Sequence, residues 1–112
     1  MGKIPARALA VMFWGMIMLQ AASPARAQAE QGKQIFAEKC APCHGSDGRG
    51  NGPTASLFNP PPSDFTAPGF WQGDVNQKIT NSIENGKGVM PAVDLSSSQI
   101  KAVIDYMKHT FK

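Results

Sequence analysis

An all-α domain of three main helices joined by long Gly/Pro-rich loops is what this sequence predicts, and three observations carry the prediction. Apolar residues recur at helical spacing in three separate stretches. No stretch alternates apolar and polar residues with the period of two that a half-buried strand requires. Between the first and second helical stretches, glycine and proline interrupt the chain every few positions.

The first helix is expected over about 30–43. Ile35, Phe36 and Cys40 lie close to one face of it, and Gly32 near its start leaves room for another helix to cross closely. From 45 to 73 the chain reads as loop, broken by Gly48, Gly50, Gly52-Pro53, Pro60-Pro61-Pro62 and Pro68-Gly69. A structureless segment of that length is unusual in a compact domain unless it wraps something. The second helix begins after Asp74, a good N-cap, sets Val75, Ile79 and Ile83 on one face, and stops at Gly86. The third opens with Ser96-Ser97-Ser98-Gln99, the S-x-x-Q form of a capping box. Ile100, Val103, Ile104, Met107 and Phe111 then keep helical spacing to the end of the chain.

Residues 1–27 read differently. Lys3 and Arg7 precede an apolar run from Ala8 to Leu19, and Ala25-Arg26-Ala27 follows as a small-x-small tripeptide. Basic start, apolar middle and A-x-A site are the parts of a cleaved secretory signal. A bilayer-spanning helix needs about 20 apolar residues, so this run is short for a permanent anchor. Cleavage after Ala27 is expected to leave residues 28–112 as one domain in the periplasm, with no stable membrane insertion.

That expectation changes the charge argument. The formal net charge of +3 resides entirely in Lys3, Arg7 and Arg26. From Gln28 onward the basic residues are Lys33, Lys39, Arg49, Lys78, Lys87, Lys101, Lys108 and Lys112, which balance the eight acids one for one. A basic pI that belongs to a targeting peptide is no argument for nucleic acid, and none is expected as a partner. What remains is small, rich in glycine and proline, and poor in large aliphatics. Domains of this size bury only about 60% of their unfolded surface, and many need a cross-link or a cofactor to hold together.

The pentapeptide Cys40-Ala41-Pro42-Cys43-His44 supplies one. On a helical turn Cys40 and Cys43 share a face with His44, four residues beyond Cys40. Two thiols there can add to the two vinyl groups along one porphyrin edge, and the imidazole beside them can bind the iron; C-x-x-C-H is the haem-attachment pattern. A single covalent haem c with its iron is the cofactor expected. Three rival readings fit the chain less well. A thioredoxin-like pair needs a preceding strand in a βαβ setting. A structural zinc site usually takes four Cys/His ligands, and beyond residue 27 there are only Cys40, Cys43, His44 and His109. A disulfide between Cys40 and Cys43 would close a very small loop and stabilise little.

For the sixth iron position, Gly86-Lys87-Gly88-Val89-Met90-Pro91 offers Met90, whose backbone Pro91 restricts to extended conformations. Met107 competes, but it lies on the apolar stripe of the last helix, where packing is the plainer role. His109 reads as a solvated helix-terminal residue. His44 and Met90 as axial ligands would raise the haem potential. With both positions filled there is no open iron site for peroxidase or oxygen-binding chemistry, so one-electron transfer is expected and enzymatic turnover is not.

These residues together resemble the class I monohaem cytochrome c family: Gly32, Phe36 and Cys40 to Gly45, then Gly86 to Pro91, then Leu95-Ser96 leading into Ile100 to Met107. The resemblance spans nearly the whole of residues 28–112 and is weakest from Ser46 to Gly73. It implies a small cytochrome c fold wrapped around one haem. In that fold the first and last helices cross near Gly32, with Phe36, Val103 and Tyr106 packed at the crossing. It further implies that a proline carbonyl, here Pro53, accepts the Nδ1 proton of His44. Trp71 has two possible roles, a donor to a haem propionate or an ordinary structural tryptophan. Partners implied are electron donor and acceptor proteins, met either by a free carrier or, alternatively, by a haem-containing subunit or sensor module inside a larger oxidoreductase complex.

Overall fold

A computed structural model describes Gly2 and residues 23–112. Four α-helical segments follow in order: α1 (Pro24–Ile35) running on through a wider turn (Phe36–Cys40) into α2 (Ala41–His44), then, past a single 3₁₀ turn (Ala55–Leu57), α3 (Val75–Asn85) and α4 (Ser97–Phe111). Among the described residues there is no strand, only an isolated bridge between Lys87 and Met90, as the absence of period-two patterning requires.

The first helix begins earlier than expected. Ser23 caps it, accepting from the Arg26 N–H at 3.3 Å, and Pro24 takes the first position, where its missing N–H costs nothing. The expected cleavage point after Ala27 therefore falls inside α1. Residues 23–27 are all exposed, and the buried residues of α1, Gly32 and Ile35, lie beyond that point. The helix also ends differently. Pro42 can donate no hydrogen bond, and its ring would press on the carbonyl of Glu38 in a regular α-helix. The chain accommodates it by widening: the Ala41 N–H reaches back five residues to the Phe36 carbonyl, a π-turn of the kind often found at functional sites.

Both later helices carry the caps read from the sequence. The Asp74 side chain accepts from the Gln77 N–H at 3.2 Å. Ser96 and Gln99 cap each other reciprocally, at 3.2 Å and 2.8 Å.

One core holds the three long elements together. α1 crosses α4 at Gly32, where a methyl group would run into the Ala102 carbonyl and stand 3.0 Å from Tyr106 Cβ. Just beyond the crossing, Phe36 is almost fully buried, its ring 5.6 Å from Tyr106 and 5.1 Å from Phe111. Val103 packs in the same layer with no exposed surface. α3 adds Val75, Ile79 and Ile83, and the Val93 N–H ties the following loop to the Ile83 carbonyl at 2.7 Å. Met107 is buried in the α4 stripe, while His109 is exposed. No helix among the described residues is long and apolar enough to cross a membrane.

Candidate haem site

The long glycine-rich loop has a task the sequence did not reveal. The last carbonyls of a helix have no partners inside it, and α2 ends at the motif itself. The loop supplies all of them. The Gly45 N–H reaches the Ala41 carbonyl at 2.8 Å, Thr54 reaches Pro42 at 3.0 Å, Gly52 reaches Cys43 at 3.0 Å, and Gly50 reaches His44 at 2.7 Å. The approach is so close that a methyl on Gly52 would stand 2.6 Å from the Ala41 oxygen. The segment does wrap something, and part of what it wraps is the backbone of Ala41 to His44.

That clasp settles the partner of His44. Nδ1 lies 3.1 Å from the Ser63 carbonyl oxygen, so Pro53 is not its partner. With Gly50 and Gly52 bonded along the end of α2, the loop comes back past Gly50 at Pro62 and Ser63, and Ser63 presents its carbonyl to the ring. A carbonyl only accepts, so Nδ1 carries the proton and Nε2 keeps its lone pair. Burial lowers the His44 pKa, with the Ser63 bond pulling the other way. The imidazole is thus held neutral and aimed by its second nitrogen, as a metal ligand must be.

Phe65 is a residue that sequence reasoning missed. It is buried, stacks on the His44 ring at 4.4 Å and 21°, and meets Phe36 edge-on at 6.2 Å. Its backbone is tied at both ends, the N–H to Gly48 at 2.7 Å and the carbonyl to Trp71 Nε1 at 2.7 Å. Trp71 therefore takes its structural role, anchoring Phe65. Only its size and apolarity hinted that Phe65 would be buried, in a loop that also carries Leu57, Phe58, Phe70 and Trp71.

Both thiols are free and half-buried. Cys40 packs against the core, and burial, followed by the neighbouring Cys43, pushes its pKa up to about 11. Thr54 Oγ1 gives its proton to the Pro42 carbonyl at 2.8 Å. Its 3.3 Å contact with Cys43 Sγ is accordingly one that the thiol donates. Among the described residues, no three His, Cys, Asp or Glu side chains are grouped as a self-sufficient metal site, so a four-ligand zinc site has no geometry to rest on here. Two reduced thiols beside a neutral, oriented imidazole fit covalent haem instead.

Met90 is partly buried on a tight turn closed by two reciprocal backbone bonds with Lys87, at 3.0 Å and 2.9 Å. Gly86 enters the turn at φ +74°, where a side chain would be strained and would also meet the Met90 carbonyl at 2.7 Å. The thioether is therefore carried on a defined loop, whereas Met107 is committed to the core.

A small all-α fold whose first helix ends in a C-x-x-C-H turn, with its imidazole tautomer set by a loop carbonyl, defines a c-type cytochrome domain. The family described as cytochrome c oxidase, cbb3-type, subunit III matches residues 27–107, and the chain belongs to it. Its cofactor is one covalent haem c with its iron, and its role is electron transport. The chain is 40% identical over 92 residues to the cbb3-type cytochrome c oxidase subunit CcoP of Rhodobacter capsulatus, covering 71% of this chain and 28% of that protein. It is also 40% identical over 86 residues to the subunit FixP of Azorhizobium caulinodans, covering 73% of this chain and 27% of that one. The chain thus spans less than a third of the length of these relatives.

Proposed function

We propose that this chain is the one-electron haem module of a cbb3-type oxidase assembly, with thioether bonds to Cys40 and Cys43 and the iron held between His44 Nε2 and the Met90 sulfur. The observation that carries the site is the Nδ1–H of His44 donating to the Ser63 carbonyl, which leaves Nε2 as an oriented, neutral donor. When bound, the haem supplies a ferric/ferrous couple. His44 and Met90 would both be committed to holding the iron, which would leave no open coordination site for substrate. Phe65 covers one face of the imidazole and shields it from water. No group in this arrangement moves a proton or binds a substrate, and the chain itself is read as a carrier rather than an enzyme.

The choice between module and free carrier rests on the relatives. Both are named as subunits of an oxidase, which favours the module over the freely diffusing carrier expected from the sequence. The chain is placed on the periplasmic side, delivered by residues 1–27. Native electrophoresis of solubilised membranes and of the soluble exported fraction, stained for haem, decides the matter. Co-migration with a haem–copper oxidase supports the module, and recovery only as a small free band refutes it. For the site, Cys40→Ser/Cys43→Ser in a host able to attach haem should give no covalent holoprotein. A double variant that keeps haem through denaturing electrophoresis would remove the assignment.

A further inference from the structure

We propose that Thr54 is the positioning residue for the second thioether bond: its hydroxyl, braced on the Pro42 carbonyl, holds the Cys43 sulfur in the orientation from which it takes up haem. The inference rests on the haem assignment under Proposed function and adds to it a residue outside the C-x-x-C-H turn. Thr54 touches that turn three times. Its N–H and its hydroxyl both donate to the Pro42 carbonyl, at 3.0 Å and 2.8 Å, and its Oγ1 lies 3.3 Å from Cys43 Sγ. Two donors from one residue converging on one acceptor fix the hydroxyl oxygen relative to the backbone of the turn. With the hydroxyl proton committed to Pro42, Oγ1 can only accept from Cys43, so the thiol proton is turned toward Thr54. Gly52 makes this approach possible, because a side chain there would run into the Pro42 oxygen.

The two cysteines are therefore held by different means. Cys40 packs against the buried core, and its neighbours restrict it. Cys43 is half-buried and, among the described residues, is not one of the side chains packed on that core. A cysteine left to itself divides among three staggered χ1 positions, and the contact with Thr54 favours one of them. One S–H···O contact is weak and biases such a choice by about two- to fivefold. That is little for the stability of a domain but decisive for a side chain with three alternatives. In attachment the S–H bond of Cys43 adds across a vinyl C=C. Sulfur bonds to the carbon next to the ring, the proton ends on the terminal carbon, and nothing is oxidised, reduced or released. Both thiols are free, as that addition requires.

The test takes the two bonds apart in the full chain, produced in a host able to attach haem. Cys40→Ala leaves Cys43 as the sole point of attachment, and Cys43→Ala leaves Cys40. Each is made with and without Thr54→Val, which keeps the Thr54 N–H and the size of the side chain but removes the hydroxyl. Intact mass gives the fraction of chain that carries covalent haem. Thr54→Val should lower that fraction about two- to fivefold when Cys43 is the attachment point and leave it unchanged when Cys40 is. In the protein with both cysteines, Thr54→Val should leave one vinyl group unsaturated in part of the holoprotein. The pyridine haemochrome band then moves to longer wavelength, and Cys43 reacts with iodoacetamide. Thr54→Ser, which keeps the hydroxyl, should restore double attachment. Equal losses in the two single-cysteine proteins would mean that Thr54 serves the fold alone, and an unmoved haemochrome band that its hydroxyl is idle; either overturns the proposal. So would a Thr54→Ser protein that behaves like Thr54→Val. Unmodified protein without covalent haem would bring down the site assignment as well, whereas doubly attached protein indifferent to Thr54 counts against the positioning role alone.

Discussion

The clasp of the loop on the motif helix predicts a specific weakness at Gly52. A methyl placed there stands 2.6 Å from the Ala41 oxygen and 2.7 Å from the Cys43 carbonyl carbon, whereas ordinary contact begins at 3.4 Å. In Gly52→Ala the loop must retreat by about 1 Å, since the Pro42 carbonyl oxygen is nearer still, stretching the 3.0 Å bonds from Gly52 and Thr54 to the Cys43 and Pro42 carbonyls beyond useful length. Two backbone bonds at about 1 kcal/mol each, with about 1 kcal/mol of residual overpacking, give a loss of about 3 kcal/mol. That is a large share of the roughly 5–15 kcal/mol that holds a domain folded. At about 4–8 °C per kcal/mol for a domain of this size, thermal unfolding of the holoprotein should come roughly 12–24 °C earlier. Circular dichroism melting measures this directly. Gly69→Ala is the control, because a methyl at Gly69 meets nothing within 4 Å. If the two variants melt within about 2 °C of each other, corresponding to about 0.5 kcal/mol or less, the loop is not clasping the motif as described.

Four further outcomes can be measured. Met90→Ala should lower the reduction potential and let carbon monoxide bind the ferrous protein, seen in the visible spectrum. Met107→Ala should leave the iron closed and cost about 2–5 kcal/mol in denaturant titration, the range for emptying a buried methionine site. Hydrogen bonds from the Thr66 hydroxyl and then its N–H hold Asp64 below its usual 3.8. The folded form is thus favoured above that pH, and the contribution disappears as pH falls through the depressed value. Thr66→Val should move the Asp64 titration upward toward 3.8 in carbon NMR, and an unchanged midpoint would count against the hydroxyl as the main cause. Exported holoprotein should have the mass of residues 28–112 plus one haem; a mass retaining residues 1–27 would replace the cleaved-signal reading with an anchored one.

Features that depend on neighbours a few residues apart were legible in the sequence. Asp74 and the Ser96–Gln99 pair announce their helices because capping is a bond across three positions, and the stripe from Ile100 to Phe111 announces its buried face by spacing alone. The chemistry of Cys40-Ala41-Pro42-Cys43-His44 was readable for the same reason, whereas the crossing at Gly32, against Ala102 of α4, was an implication of the family resemblance. The support of that chemistry was not. Ser63 lies 19 residues from His44, in a loop without period, and nothing local distinguishes its carbonyl from that of Pro53. What selects it is the set of backbone bonds drawing residues 50–54 along the end of α2, which leaves Pro62 and Ser63 to close over the imidazole. Phe65 and Trp71 were obscured in the same way, since their burial depends on each other and on Gly48 rather than on a shared face. The start of α1 was hidden by a different conflict: Ser23-Pro24 serves as a helix cap within a stretch that also reads as a cleavage region. One sequence can satisfy both because the first turn of α1 lies outside the core. The choice between free carrier and oxidase module was unreadable for a deeper reason. It depends on complementarity with another surface, and residues 28–112 contribute to that question only their own half.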